Sequence, residues 1–212
     1  MRLAPAVPFE PCVDTDEILD GAKCAALWAA GIKGVWRYLE DLTPGEVAAI
    51  LGSGLKLFFV NHSRLPGWIP SAGDGAMDAA RDVLNLKKLG IPKGVHVAFD
   101  LEGVGGGITS VSLVEAHVIS WSRGVQSSSN LAALYVGEGA LLTSRQLFAL
   151  PPTLYWASCS LIVDVAGNAA VPECDWSVLQ GRPFDVIIGG VKVDFDVVFA
   201  DNRGRVPIGV AA

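Results

Sequence analysis

No apolar run in the sequence approaches the length of a membrane span. The hydrophobic half of its 212 residues therefore belongs to a core, and no stable membrane insertion is expected. No cluster of Lys or Arg occurs along the chain and the formal charge is −6, so no nucleic-acid partner is expected. The same acidic balance gives an anionic polymer little long-range attraction to this surface. Charged residues make up only 18%, which excludes a disordered chain and implies strands buried on both faces. The first eleven residues hold three prolines and no apolar h-region, so no signal peptide is read there.

Several chemistries lack their residues. The four cysteines, Cys12, Cys24, Cys159 and Cys174, fit neither a zinc motif nor Cys-x-x-Cys. Buried thiols are the expectation, with a Cys12–Cys24 or Cys159–Cys174 disulfide open if the protein works outside the cytosol. His62, His96 and His117 are spaced for no metal site. No Gly-x-Ser-x-Gly elbow is present. The loop Gly103 to Gly107 lacks the Lys-Ser/Thr of a phosphate loop and the glycine order of a dinucleotide site, and reads as a mobile rim. No cofactor and no metal are expected.

What is present is an alternation of short apolar runs with segments of helical period, the pattern of βαβ units around a parallel sheet. Strands are expected at 12–14, 32–39, 55–60, 95–102 and 131–136. The helices between them are expected at 18–30 (Ala22, Ala25, Ala26 and Ala29 on one face), from Thr43-Pro44 to Gly52 (Val47, Ile50 and Leu51 inward), at 74–89 (Met77, Ala80 and Leu84 on one stripe), from Ser112 onward (bearing Val114, Val118 and Trp121), and at 138–147. Thr43 with Glu46, and Ser112 with Glu115, read as capping boxes. Trp28 and Trp121 are expected in the core. After Pro151 the pattern changes to strands with little helix, at 154–157, 175–179 and 185–199. No linker or repeat divides the chain, so residues 1–212 are expected to form a single domain. The fold expected is an irregular TIM-like (β/α)5(β)3 barrel of the α/β class, with an open doubly wound sheet as the competitor.

In both architectures ligands bind at the carboxyl ends of the parallel strands. Acidic residues gather there: Asp14 on the first strand, Asp100 and Glu102 on the fourth, Asp194 and Asp196 on the last. Asp100 and Glu102 are two apart, so extended backbone points both side chains to one face. Burial and mutual repulsion would keep a proton on one of them, supplying the acid and the anion that glycoside hydrolysis uses. An acidic loop edge or a helix-capping aspartate explains the pair equally well.

Asp14 after the first strand, Arg37-Tyr38-Leu39 ending the second and Asp100-Leu101-Glu102 ending the fourth resemble the glycoside-hydrolase-like proteins related to family 25 lysozymes. Tyr135, Tyr155-Trp156-Ala157, Trp176, Gln180 and Val193-Asp194-Phe195-Asp196 continue the resemblance over nearly the whole chain. It implies five βα units with three closing strands, and cleavage of peptidoglycan glycan strands between N-acetylmuramic acid and N-acetylglucosamine. On that resemblance Glu102 would be the general acid and Asp100 the charge supporting the oxocarbenium- or oxazolinium-like centre. Asp14 and Asp194 would be supporting carboxylates, and Tyr135 and Trp156 would line the sugar subsites. Arg37 and His62 are further candidates for substrate binding, and Trp68 a weaker one for sugar stacking. The sequence departs from the lysozymes at Val60-Asn61-His62, where they favour an aromatic beside a histidine.

The leading expectation is thus a monomeric muramidase acting on peptidoglycan. A phage endolysin suits the missing signal peptide, held in the host cytoplasm until release to the periplasm or wall; secretion by another route is the alternative. A catalytically silent carbohydrate-binding or structural barrel is the second reading. A metal-dependent hydrolase using Asp14, Asp100 and Asp194 is the third.

Overall fold

The computed structural model describes residues 1–105, 109–163 and 174–212, with only the backbone at 162 and 163. Its elements run β1 (Arg2–Pro5), β2 (Pro11–Asp14), α1 (Gly21–Ala29), β3 (Gly34–Tyr38), α2 (Pro44–Gly52), β4 (Lys56–Asn61), α3 (Ala72–Lys88) and β5 (His96–Leu101). They continue with α4 (Val111–Ser127), β6 (Leu131–Val136), α5 (Ser144–Ala149), β7 (Leu154–Ala157), α6 (Cys159–Val163), β8 (Val178–Gln180), β9 (Val186–Ile188), β10 (Val191–Val198) and β11 (Ile208–Ala211).

Seven strands, β2 through β8, pair in parallel and in chain order. β10 then runs antiparallel to both β8 and β2 and closes an eight-stranded barrel. This is the expected (β/α)5(β)3 arrangement, and the open sheet is excluded. Residues alternate between two apolar layers, as the period of a strand requires. Val13, Val35, Leu57, Phe59, Val97, Phe99 and Leu134 face the helices. Cys12, Trp36, Phe58, Val60, Ala98, Ala133, Leu154, Trp156 and Val178 fill the barrel. Inside, Trp36 lies 4.9 Å from Phe58 and 4.6 Å from Trp156 between ring centroids. Gly34 makes room for this plug, since a Cβ there would stand 2.6 Å from the Phe58 ring. The aromatic floor leaves the carboxyl ends of the strands as the open end of the barrel.

Thr43 does cap α2, accepting from the Glu46 N–H at 3.2 Å. The Glu46 side chain does not close the box; it accepts instead from Arg37 Nε (2.8 Å) and the Leu19 N–H (3.0 Å). The Ser112–Glu115 box is also absent, because the N-cap of α4 is Ser110, two residues earlier, and Ser112 Oγ pairs with Ser110 Oγ at 2.8 Å. The capping box that forms is Thr143 with Gln146, so α5 begins after the turn at 138–142 and not at Glu138. α1 begins at Gly21, capped by Asp20, and buries Cys24 and Leu27 while the alanine stripe faces outward. A Cys-Leu pair removes more apolar surface than alanines do, which sets the rotation of the helix. Trp28 is 41% exposed, its ring covered by the Lys33 ammonium at 3.9 Å.

The largest correction concerns α3. Met77, Ala80 and Leu84 face solvent, and the buried face carries Gly75, Asp78, Ala79, Asp82 and Leu86. Two carboxylates displaced the apolar stripe because donors wait for them on α4 and the loop after β4. The expected last strand is a hairpin, β9 to β10, turned at Gly189-Gly190. β1 and β11 were not expected; they pair with each other, and β11 also pairs with β4. All four cysteines are buried and free.

Candidate active site

Every barrel strand delivers an inward side chain to the open end. β2 brings Asp14, β3 Tyr38, β4 the following His62, β5 Asp100 and then Glu102, β6 Tyr135, β7 Trp156, β8 Gln180, and β10 Asp194 and Asp196. Nine of these ten residues line one cavity of about 130 Å³. Asp196 lies beneath it, fully buried. On one side a groove of about 360 Å³ shares Asp14, Tyr38, His62 and Asp194 with the cavity and adds Asp16, Asp41, Asp185 and Lys192. On the other, a groove of about 630 Å³ runs past Glu102 between Arg64, Pro66, Gly67, Glu138 and Ser160. The cavity that Asp100 and Glu102 line thus shares residues with a groove on either side.

The carboxyl groups are made unequal by their surroundings. Burial raises Asp100 above the ordinary aspartate range, and its hydrogen bond to His62 Nδ1 pulls it back. His62 is raised by the same bond against its own desolvation, and Tyr38 lies alongside its ring at 4.9 Å. Oδ1 of Asp100 is buried and meets no hydrogen-bond donor among the described residues. Burial pushes Glu102 up to about 7, and the Asp100 charge adds to the rise. Space for Glu102 comes from Gly137, where a Cβ would stand 2.1 Å from Oε2. Its backbone is braced by Trp68 Nε1 donating to the Glu102 carbonyl at 2.9 Å. Trp68 packs edge-on to His117 and Phe99 and does not line the cavity.

Asp14 and Asp196 form a second pair. Burial lifts Asp14 to about 7, opposed by the Gln180 hydrogen bond and assisted by Asp194. Asp196 is raised well above its ordinary value by burial and then by the Asp14 charge. The two side chains interact closely enough to share one proton, and burial with the Asp14 charge favours keeping it on Asp196. Trp156 Nε1 donates to Asp196 Oδ1 at 3.0 Å. Gln180 ties the rim together. Its Nε2 donates to Asp14 (2.8 Å) and Asp194 (3.3 Å), while its Oε1 accepts from Tyr135 OH (3.1 Å) and the Cys159 N–H (3.0 Å). Donors surround one end of the amide and acceptors the other, so its orientation is set. Tyr135 also packs edge-on against Trp156 at 4.7 Å.

Seven of the eight residues expected at the site meet in this cavity: Glu102, Asp100, Asp14, Asp194, Tyr135, Trp156 and His62. Arg37 does not. It points to the outer face of β3, is fully buried, and pairs with Glu46 while donating to the Thr15 carbonyl. Tyr38, Gly137 and the proton-sharing role of Asp196 were missed. The alternation Trp36-Arg37-Tyr38 carries the signal for Tyr38, since one of two neighbours must face in. Gly137 carries none, because its role is the space beside a residue 35 positions away. Among the described residues no group of His, Cys, Asp or Glu is disposed to hold a metal ion. Gly106 and Gly107, the tip of the expected rim, lie outside the described residues.

The family model for the Rv2525c-like, glycoside hydrolase-like domain matches residues 25–187. No curated protein matches the sequence. Among solved structures, the Tat-secreted protein Rv2525c of Mycobacterium tuberculosis, in complex with L-tartrate, superposes with a TM-score of 0.63 at 15% identity, over 90% of this chain and 95% of that one. The catalytic domain of endolysin ply40, from bacteriophage P40 of Listeria monocytogenes, gives 0.58 at 12% identity, over 91% and 94%. The modular autolysin LytC of Streptococcus pneumoniae, in complex with a synthetic peptidoglycan ligand, gives 0.57 at 12% identity, over 89% of this chain and 46% of that one. At these identities the likeness is one of fold.

Proposed function

This chain belongs to the family of Rv2525c-like, glycoside hydrolase-like domains, and from that membership we propose that it hydrolyses the glycan strand of peptidoglycan as a muramidase. The observation that carries the proposal is the unequal pair on β5: Glu102 raised to about 7 beside a buried Asp100 held by His62. At neutral pH a substantial share of Glu102 is protonated, as a general acid must be. Glu102 gives its proton to the glycosidic oxygen as the bond from that oxygen to the anomeric carbon breaks. Positive charge develops at the sugar ring, and Asp100 stabilises it, directly or through the substrate's acetamido group. Water then adds to the anomeric carbon, and its proton returns to Glu102. Tyr38, Tyr135 and Trp156 supply apolar walls for the sugar faces. Grooves that share lining residues with the cavity on either side suit a polymer cut within its length. The fold shared with an endolysin and with an autolysin seen with peptidoglycan supports the choice of substrate.

The test is release of reducing ends from purified peptidoglycan by the wild type and by Glu102→Gln. Activity in the wild type that falls at least about a hundredfold in the variant is expected. Equal activity in both removes Glu102 from the mechanism. Glycan binding without reducing-end release by the wild type replaces the proposal with a silent binding barrel.

A further inference from the structure

His62 is the one imidazole at the open end, and nothing in β4 itself fixes its direction, because it lies one residue beyond the strand. The residues on either side of its short loop are held from beneath by α3. Asn61 Nδ2 donates to both oxygens of Asp82, at 2.7 and 2.9 Å. This turns Asn61 Oδ1 back to accept from the N–H of Ser63 (3.3 Å) and its hydroxyl (2.9 Å). Arg64 Nε and Nη2 donate to Asp78 Oδ2 at 2.9 and 2.7 Å. Asp78 and Asp82 are one turn apart on the buried face of α3. Each is secured in turn: Asp82 accepts from Trp121 Nε1 at 2.7 Å, and Asp78 from Arg81 at 2.7 Å. These bonds explain why α3 buries two carboxylates where apolar side chains were expected.

We propose that Asp82 and Asp78 are positioning residues that clamp the loop after β4 at Asn61 and Arg64 and thereby aim His62 at Asp100. Neither touches the cavity, and neither is a catalytic residue. The consequence for catalysis rests on the reading of Asp100 and Glu102 given above; the geometric claim does not. The charged groups that bear on His62 are Asp100, Glu102 and Glu40, none of them on α3. A loosened clamp therefore acts on His62 through its distance from Asp100 and not through a lost neighbouring charge.

The experiment is an NMR titration of the His62 ring in the full chain, for Asp82→Ala, Asp82→Asn, Arg64→Gln and the control Leu86→Ala, which weakens the same helix without touching the loop. In the wild type the hydrogen bond to Asp100 should hold the midpoint above the ordinary histidine value of about 6.5. Asp82→Ala is expected to lower it by about half a unit or more, and Arg64→Gln by less. Asp82→Asn removes the same charge but keeps an acceptor for Asn61, so it should recover most of the shift. Leu86→Ala should leave the midpoint unchanged. An unchanged midpoint in Asp82→Ala and Arg64→Gln overturns the clamp. If Asp82→Ala does not fold, Arg64→Gln decides, its side chain being partly exposed. Should the wild type hydrolyse glycan, Asp82→Ala is expected to lower kcat about tenfold or more with KM little changed. An inert wild type would sink the hydrolase reading and leave the His62 result standing.

Discussion

Glu102 has room for its carboxylate only because residue 137 has no side chain, and that dependence is open to a direct check. Gly137 is not in the left-handed region, so Gly137→Ala introduces no backbone strain; its whole effect falls on Glu102, which a Cβ would meet at 2.1 Å from Oε2 and 2.7 Å from Cβ. Glycan hydrolysis should fall at least about tenfold. An alanine variant with full activity would mean that Glu102 works from another position. The neighbouring charge gives a second expectation. Asp100 is the second cause, after burial, of the rise of Glu102 to about 7. Asp100→Asn removes that charge, so the Glu102 carboxyl should titrate at lower pH, as read by carbon NMR of the labelled side chain. The alkaline limb of any remaining activity should move in the same direction, because the general acid is then lost earlier. A titration that stays put would leave burial and the Glu138 charge as the causes.

At the scale of elements, the Arg37–Glu46 pair shows what a charged residue in a strand is for when it faces away from the site. Arg37 on β3 joins Glu46 at the start of α2, the Thr15 carbonyl after β2, and through Glu46 the Leu19 N–H before α1. One buried pair thus binds two strands to two helix starts. Removing one partner strands the other charge out of water, a loss of about 3–5 kcal/mol. Arg37→Met should therefore lower the urea midpoint strongly while leaving glycan affinity of the folded fraction unchanged. Weakened sugar binding at full stability would return Arg37 to the site. The same residue marks where the sequence was legible. Apolar runs ending in Asp14, Asp100-Glu102, Tyr135 and Asp194 announced the barrel and most of its open end, because parallel strands must be apolar and must end where ligands bind. Strand parity was also legible, and applied to Trp36-Arg37-Tyr38 it turns Arg37 outward once Tyr38 is placed inside. Helix faces were less so. Met77, Ala80 and Leu84 share a stripe as good as any, and only the donors Asn61, Arg64 and Trp121, supplied from elsewhere, make the carboxylate face of α3 the buried one. The β1–β11 pairing joins residues about 200 apart, such as Arg2 with Ala211, and no local pattern announces a contact of that range.

For the whole molecule, the concentration of buried acids couples stability to pH in an unusual direction. Burial raises Asp14, Asp82 and Glu102 each to about 7, while in the unfolded chain such groups titrate at about 4. Between those values the folded state keeps protons that the unfolded state has released. Its stability is therefore fully present below about 4 and is lost as pH rises through about 7. One buried base opposes this. His96 accepts from the Ile208 N–H at 3.0 Å beneath the barrel, and burial lowers it to about 4. The unfolded chain binds a proton that the folded His96 refuses, so this group removes stability as pH falls from about 6.5 to about 4. Above about 6.5 the raised carboxylates act together with His62, which Asp100 also raises, and below it the raised carboxylates oppose His96. The thermal midpoint should accordingly be higher at pH 5.5 than at pH 8. A net difference of about 2 kcal/mol would move it by about 4–8 °C in a chain of this size. Asp82→Asn removes one contributor, away from the cavity, and should flatten the slope without reversing it. A midpoint that rises between pH 5.5 and pH 8 would mean that the carboxylates ionise in the folded state as freely as they do in water, and the inequality that makes Glu102 an acid would go with it.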